Sequence, residues 1–243
     1  MVFYGAELPP IIHECGDGRL EGFAVDVLCE ALRQSGREID PSDIKNMPWA
    51  RALEECRSRP GTALLALAML PSRKTEYKWV GPIALMQSGL FAMKSSNIVI
   101  NRPADYSRYR IGVVRDTAPA YFLFEALDRT VLRLEEVNNI RASIRMMRAG
   151  RLDLTVQSEP GFSQLLHEMG ISRKEFVKVC DLKPLGLYFA FNQNADDAFI
   201  RRLETGLERL RACPADGGPS RHEELCRKYW PKDSLGGCVP ALR

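Results

Sequence analysis

The run TALLALAML, Thr62–Leu70, constrains this chain more than any other feature. Side chains of a strand alternate between the two faces of its sheet, so a run this apolar presents hydrophobic groups on both faces. Such a strand is stable only inside a sheet covered on both sides, the situation of a parallel sheet flanked by helices. The run RLDLTVQS, Arg151–Ser158, reads as a second strand of this kind. An α/β architecture with buried parallel strands is therefore expected.

Helical patterns supply the cover. After a strand-like opening, a Pro-Pro corner and a hairpin turning at Asp17-Gly18, the residues Phe23, Val27, Leu28 and Leu32 recur on one side of a helix. A second helix over Trp49–Arg57 follows Pro48. The pattern then repeats: RIGVVRD is a strand, APAYFLFEAL a helix, and ASIRMMRAG a helix closed by Gly150. The Gly-led apolar strands GLFAMK (Gly89–Lys94) and GLYFAFN (Gly186–Asn192) bracket this second unit and read as two crossings between lobes. The expected division is a discontinuous first lobe, 1–90 with 190–243, and a second lobe, 91–189. Two crossings make a hinge, and the cleft of a hinged protein is the default binding site.

Composition removes several function classes. With 243 residues, 45% of them hydrophobic, the chain can bury a core in one large domain or two lobes. The 34 basic and 31 acidic side chains leave a net charge of +3, and the basic ones are scattered, so nucleic acid is not an expected partner. No apolar stretch approaches the roughly 18 residues of a membrane span. The seven cysteines form no CxxC pair, and His13, His167 and His222 are far apart in sequence, so neither a metal site nor a cofactor is expected. Cys29 and Cys56 read as small buried hydrophobes on helix faces. Cys213, Cys226 and Cys238 crowd a Pro/Gly-rich tail, which points to an oxidising compartment. A Cys226–Cys238 disulfide is the expected pairing, because Gly236-Gly237 after Pro231 can turn the tail back.

In order along the chain, LPP with GRLEGFAVDVLCEAL, then MPWARALEEC, SRKTEYKWVGPI, YRIGVVRDTA, MRAGRLDLTV and a terminal RKYW resemble the family 3 extracellular solute-binding proteins, the periplasmic receptors of amino-acid-type ABC importers. The resemblance covers nearly the whole chain. It implies the type II periplasmic-binding-protein fold, two lobes joined by two hinge strands, closing on a small ligand. It also implies a periplasmic monomer that serves an ABC permease of the inner membrane, exported by a signal that the given sequence does not include.

The resemblance assigns residues as well. Arg73 stands six positions before the strand aromatic Trp79, where the family typically forks a guanidinium onto a ligand carboxylate. Its planar, parallel donors match two carboxylate oxygens, which a lysine cannot do; the neighbouring Lys74 reads as a surface charge. Thr117, after Asp116 and before a helix with Pro119 in its first turn, is a candidate N-cap whose following amides suit a carboxylate; a cap without a ligand is the competing reading. Trp49 matches an aromatic wall of the ligand site, with Leu8 and Ile11 on the opposite wall; for Trp49 a core position competes.

Two positions depart from the family pattern. The acidic residue that takes a ligand α-ammonium falls on Ser158, with Glu159 one place beyond, and the hydroxyl residue five before the arginine is Ala68. One extra or missing residue in that loop would let Glu159 replace the missing carboxylate; otherwise that partner is lost, so the expected ligand is a small carboxylate, an amino acid or a related compound, and a standard α-amino acid does not follow. Related folds include cyclohexadienyl dehydratases and ligand sensors of receptor kinases. An enzyme would need a general acid, for which Glu159 and Glu7 are the candidates, and no Ser/His/Asp set or phosphate-cradling loop is present. The expectation is a binding protein, not an enzyme.

Overall fold

The computed structural model describes residues 1–230 except 9 and 116. The chain divides into two compact units, one holding Met1–Leu85 and the described residues from Gly186 on, the other Met86–Leu185. The breaks fall a few residues before those drawn from the sequence.

The first unit contains β1 (Val2–Gly5), β2 (His13–Glu14), β3 (Leu20–Glu21), α1 (Phe23–Gln34), β4 (Ile44–Asn46), α2 (Trp49–Ser58), β5 (Thr62–Ala68) and β6 (Tyr77–Met86). Its sheet has the order β4-β1-β5-β12-β6, where β12 is Leu185–Asn192, and β2 and β3 form a separate hairpin. The chain leaves this unit at the end of β6 and returns at the start of β12. Strand β1 runs parallel to both β4 and β5, while β12 runs antiparallel to β5. The sheet is thus mixed, with a parallel core, and every residue of β5 is buried, as its two-faced apolar character requires.

Two further helices, α6 (Asp197–Arg211) and α7 (Arg221–Tyr229), belong to this unit. Helix α6 lies so close to α1 that a Cβ at Gly206 would stand 2.0 Å from the carbonyl oxygen of Ala31. The terminal aromatics have a structural role: Trp230 and Tyr229 meet the ring of Phe23 edge-on at 4.7 and 6.0 Å, and the Tyr229 hydroxyl donates to Asp26 Oδ2 at 2.7 Å. Asn192 closes α2, its side-chain amide donating to the carbonyls of Cys56 (3.0 Å) and Arg57 (2.9 Å).

The second unit carries β7 (Ser88–Met93), β8 (Arg110–Val114), α3 (Ala118–Ala126), β9 (Arg133–Val137), α4 (Ile140–Arg148), β10 (Leu154–Ser158), α5 (Glu159–Glu168) and β11 (Phe176–Asp181). Its sheet order is β11-β7-β10-β8-β9, with β8 parallel to β9 and β10 and with β7 antiparallel to β10 and β11. Leu90 and Ala92 of β7 join Leu123 of α3 in one apolar cluster, whereas Phe91 between them joins Ile144 of α4 and Phe162 of α5 in another. Alternation along β7 therefore sends neighbouring residues to opposite, equally covered faces.

Cys56 is buried, as expected, but Cys29 is only half-buried. Desolvation pushes both thiols up, each to about 11, so they are poor nucleophiles at neutral pH. Cys15, Cys29, Cys56, Cys180 and Cys213 are in no disulfide. The expected partner of Cys226, Cys238, lies outside the described residues.

Candidate functional site

The candidate residues of the first unit follow the carboxyl ends of three strands. Leu8 and Ile11 come after β1, Trp49 after β4, and Arg73 after β5, whose last residue is Ala68. Because β1, β4 and β5 are adjacent and parallel, the segments leaving their carboxyl ends emerge along one edge of the sheet. That edge is where ligands bind in open α/β sheets.

Arg73 ends a single 3-10 turn, Pro71–Arg73, in which its amide donates to the Leu70 carbonyl at 2.9 Å. The spacing to Trp79 has a physical cause: the indole nitrogen of Trp79 donates to the Lys74 carbonyl at 2.9 Å and ties strand β6 back to the turn. Tyr77 and Tyr188 brace that indole edge-on, at 5.5 and 5.9 Å. Arg73 is half-buried with its Nη1 withdrawn from solvent, whereas Lys74 is exposed. The strand that delivers this turn is bent. Leu65 and Ala66 together oppose Phe189, and Ala66 adopts φ 57°, a left-handed conformation that alanine rarely takes. Such outliers persist where the surrounding structure holds them, commonly near functional sites.

The other members divide. Leu8 is half-buried in a tight turn, exchanging backbone bonds with Ile12 at 2.8 and 3.0 Å, while Ile11 and Ala68 are buried at 2% and 4% exposure. Trp49 packs against the cluster of Tyr4, Cys56, Leu64 and Tyr77, and its indole N–H is buried without an acceptor among the described residues.

In the second unit, Thr117 follows β8 and Ser158 ends β10, again adjacent parallel strands. The Thr117 hydroxyl donates to the Val114 carbonyl at 2.8 Å and does not cap α3. The first-turn amides of α3 thus gain nothing from that side chain, and they carry the positive end of the helix dipole. Ser158 is buried at the N-cap of α5 and Glu159 is its first residue. Glu159 is engaged by cations of its own unit: its carboxylate lies 2.7 Å from Lys178 Nζ and 3.9 Å from Arg173. Lys178 also meets Asp181 at 2.7 Å, and Arg173 stands over the rings of Phe91 and Phe162. Sequence reasoning missed these partners, because nothing local links positions 159, 173 and 178. Only the basic side chains near β11 were visible as a signal.

No family model matches the chain, and no curated protein matches it. Solved structures do. A histidine kinase sensor domain with similarity to periplasmic binding proteins superposes with a TM-score of 0.80 at 17% identity, covering 98% of this chain and 97% of that one. An ancestral arginine-binding protein bound to arginine gives a TM-score of 0.76 at 15% identity, over 94% and 97% of the two chains. An ancestral amino acid-binding protein, a precursor of cyclohexadienyl dehydratase, gives 0.72 at 16% identity, over 94% of each. The fold is that of the periplasmic binding proteins, as the sequence resemblance implied.

Proposed function

We propose that this chain is a periplasmic solute-binding protein that captures a small carboxylate-bearing molecule between its two units and presents it to an ABC permease. The observation that carries the reading is Arg73, a guanidinium on a braced turn at the carboxyl edge of a parallel sheet, in a fold shared with amino acid-binding proteins. Arg73 forks onto the carboxylate from the first unit, and the first-turn amides of α3 receive it from the second. Trp49, Leu8, Ile11 and Ala68 form the apolar walls, and Ser158 offers a hydroxyl.

The ligand class follows from Glu159. Its carboxylate is already held by Lys178 and Arg173, so an incoming ammonium group would have to displace two cations to reach it. The ligand is therefore a carboxylate that needs no α-ammonium partner on the second unit. For the same reason the Glu159 carboxylate is already engaged within its own unit, and a binding role is favoured over a dehydratase.

A second reading, the ligand-sensing domain of a receptor, is supported by the likeness to a kinase sensor domain; it keeps the same site and changes only the partner. The test is a thermal-shift screen of small carboxylates in pairs with and without an α-amino group, followed by calorimetry of the hits. Stabilisation by deaminated members, lost in Arg73→Ala, is the expected result. Stabilisation by amino acids alone, or by ligands without a carboxylate, would overturn the assigned class.

A further inference from the structure

We infer that the β2–β3 hairpin is a binding site for a zinc-like divalent ion, with His13, Cys15 and Glu21 as its protein ligands. One donor atom from each of these residues, an imidazole nitrogen, a thiol sulfur and a carboxylate oxygen, lies within 4.8 Å of the other two. Around a tetrahedral ion with Zn–N and Zn–O of about 2.0–2.2 Å and Zn–S of about 2.3 Å, neighbouring donors stand roughly 3.4–3.8 Å apart. Small side-chain rotations close the remaining gap.

Hairpin geometry explains why three residues that look unrelated in sequence converge. His13 and Cys15 are two apart along one chain segment and so point to the same face, while Glu21 is the direct cross-strand partner of His13. The support beneath them is fixed. Leu20, with 0% exposure, anchors β3 in the core, and the glycine at position 5 leaves room for it, since a Cβ there would stand 2.3 Å from Leu20 Cδ1. The turn is pinned by Asp17, whose carboxylate accepts from the Arg19 amide (3.1 Å) and from its Nε (2.6 Å), with Gly18 at φ 83°. The Cys15 and Arg19 backbones close the ladder at 2.8 Å. Ligands mounted on a braced hairpin lose little freedom on binding an ion.

The donor set decides the metal. Calcium and magnesium take oxygen ligands, whereas a nitrogen, a sulfur and an oxygen suit zinc and its borderline neighbours. Three protein ligands leave the fourth tetrahedral position open to water or to a donor from another molecule. His13 and Cys15 are half-buried and Glu21 is exposed, so an ion reaches the site directly from solvent. The hairpin directly follows the Leu8–Ile12 turn and directly precedes α1, so a bound ion would close the connection between those two elements on itself.

The test is a cobalt titration of reduced, chelator-treated protein, followed by zinc competition. One equivalent of cobalt should raise a thiolate-to-metal charge-transfer band that zinc then abolishes. Cys15→Ser should remove the band, His13→Ala should weaken binding at least tenfold, and Cys213→Ser, which alters an exposed thiol elsewhere, should leave both unchanged. Zinc should also raise the melting temperature of the wild type but not of Cys15→Ser, whose circular dichroism in the absence of metal should match the wild type. Absence of the band, its survival in Cys15→Ser, or its loss in Cys213→Ser would overturn the assignment.

Discussion

On the proposed reading, Arg73 is the residue on which ligand capture turns. Removing its fork from a carboxylate should weaken binding of any hit from the screen by about 2–4 kcal/mol, with the melting temperature of the ligand-free protein nearly unchanged. Calorimetry on Arg73→Ala checks this, and unchanged affinity would return Arg73 to the surface charges. Arg73→Lys should recover only part of the loss, since an ammonium cannot fork. A second residue sets a pH dependence. His222 is buried, its Nε2 lies 2.8 Å from the Ile83 carbonyl, and burial foremost lowers its pKa from the usual 6.5. The unfolded chain therefore takes up this proton at a higher pH than the folded one. The stability linked to His222 is fully present above about pH 6.5 and is lost as pH falls below it, towards the lowered folded value. Melting temperatures between pH 7.5 and 5 should drop more for the wild type than for His222→Gln, and equal drops would exclude His222 as the source.

At the scale of elements, two contacts carry more than local propensity would suggest. The approach of α6 to α1 leaves no space for a side chain at Gly206, where a methyl group would meet the Ala31 carbonyl at 2.0 Å. The obstacle is backbone, so Gly206→Ala should force the helices apart and cost about 1–3 kcal/mol or more, despite alanine's better helix propensity. A lower urea midpoint checks it; a raised midpoint would mean that propensity wins over packing. Asn192 is the other case. Its amide serves two carbonyls at the end of α2 from a buried position, so Asn192→Ala takes this donor from the Arg57 carbonyl, leaves the Cys56 carbonyl only a 3.4 Å contact from the Thr62 hydroxyl, and should cost about 2–3 kcal/mol. Hydrogen exchange should quicken in the last turn of α2 well before it does in α6.

For the whole molecule, the prediction concerns closure. If the proposed ligand engages both Arg73 of one unit and the α3 terminus of the other, its binding favours the arrangement in which both reach it. Saturation with a confirmed ligand should reduce the radius of gyration in solution scattering and shift the emission of Trp49. An unchanged radius together with unchanged emission, in the presence of calorimetrically proven binding, would place the ligand within one unit.

The sequence by itself determined the class of elements and much of their order. TALLALAML had to be a strand covered on both faces, and β5 is; the first two helices and the helix closed by Gly150 were legible for the same reason, because apolar period and turn chemistry are local properties. Helix α5 was not placed, since its opening Glu-Pro-Gly reads as a loop until the strand before it is fixed. Tertiary structure alone decided which strands run antiparallel, that Lys178 and Arg173 hold Glu159, and that His13, Cys15 and Glu21 share one face of a hairpin. Each of these depends on partners chosen by register and packing across the chain, and such choices leave no periodic trace in the residues that make them.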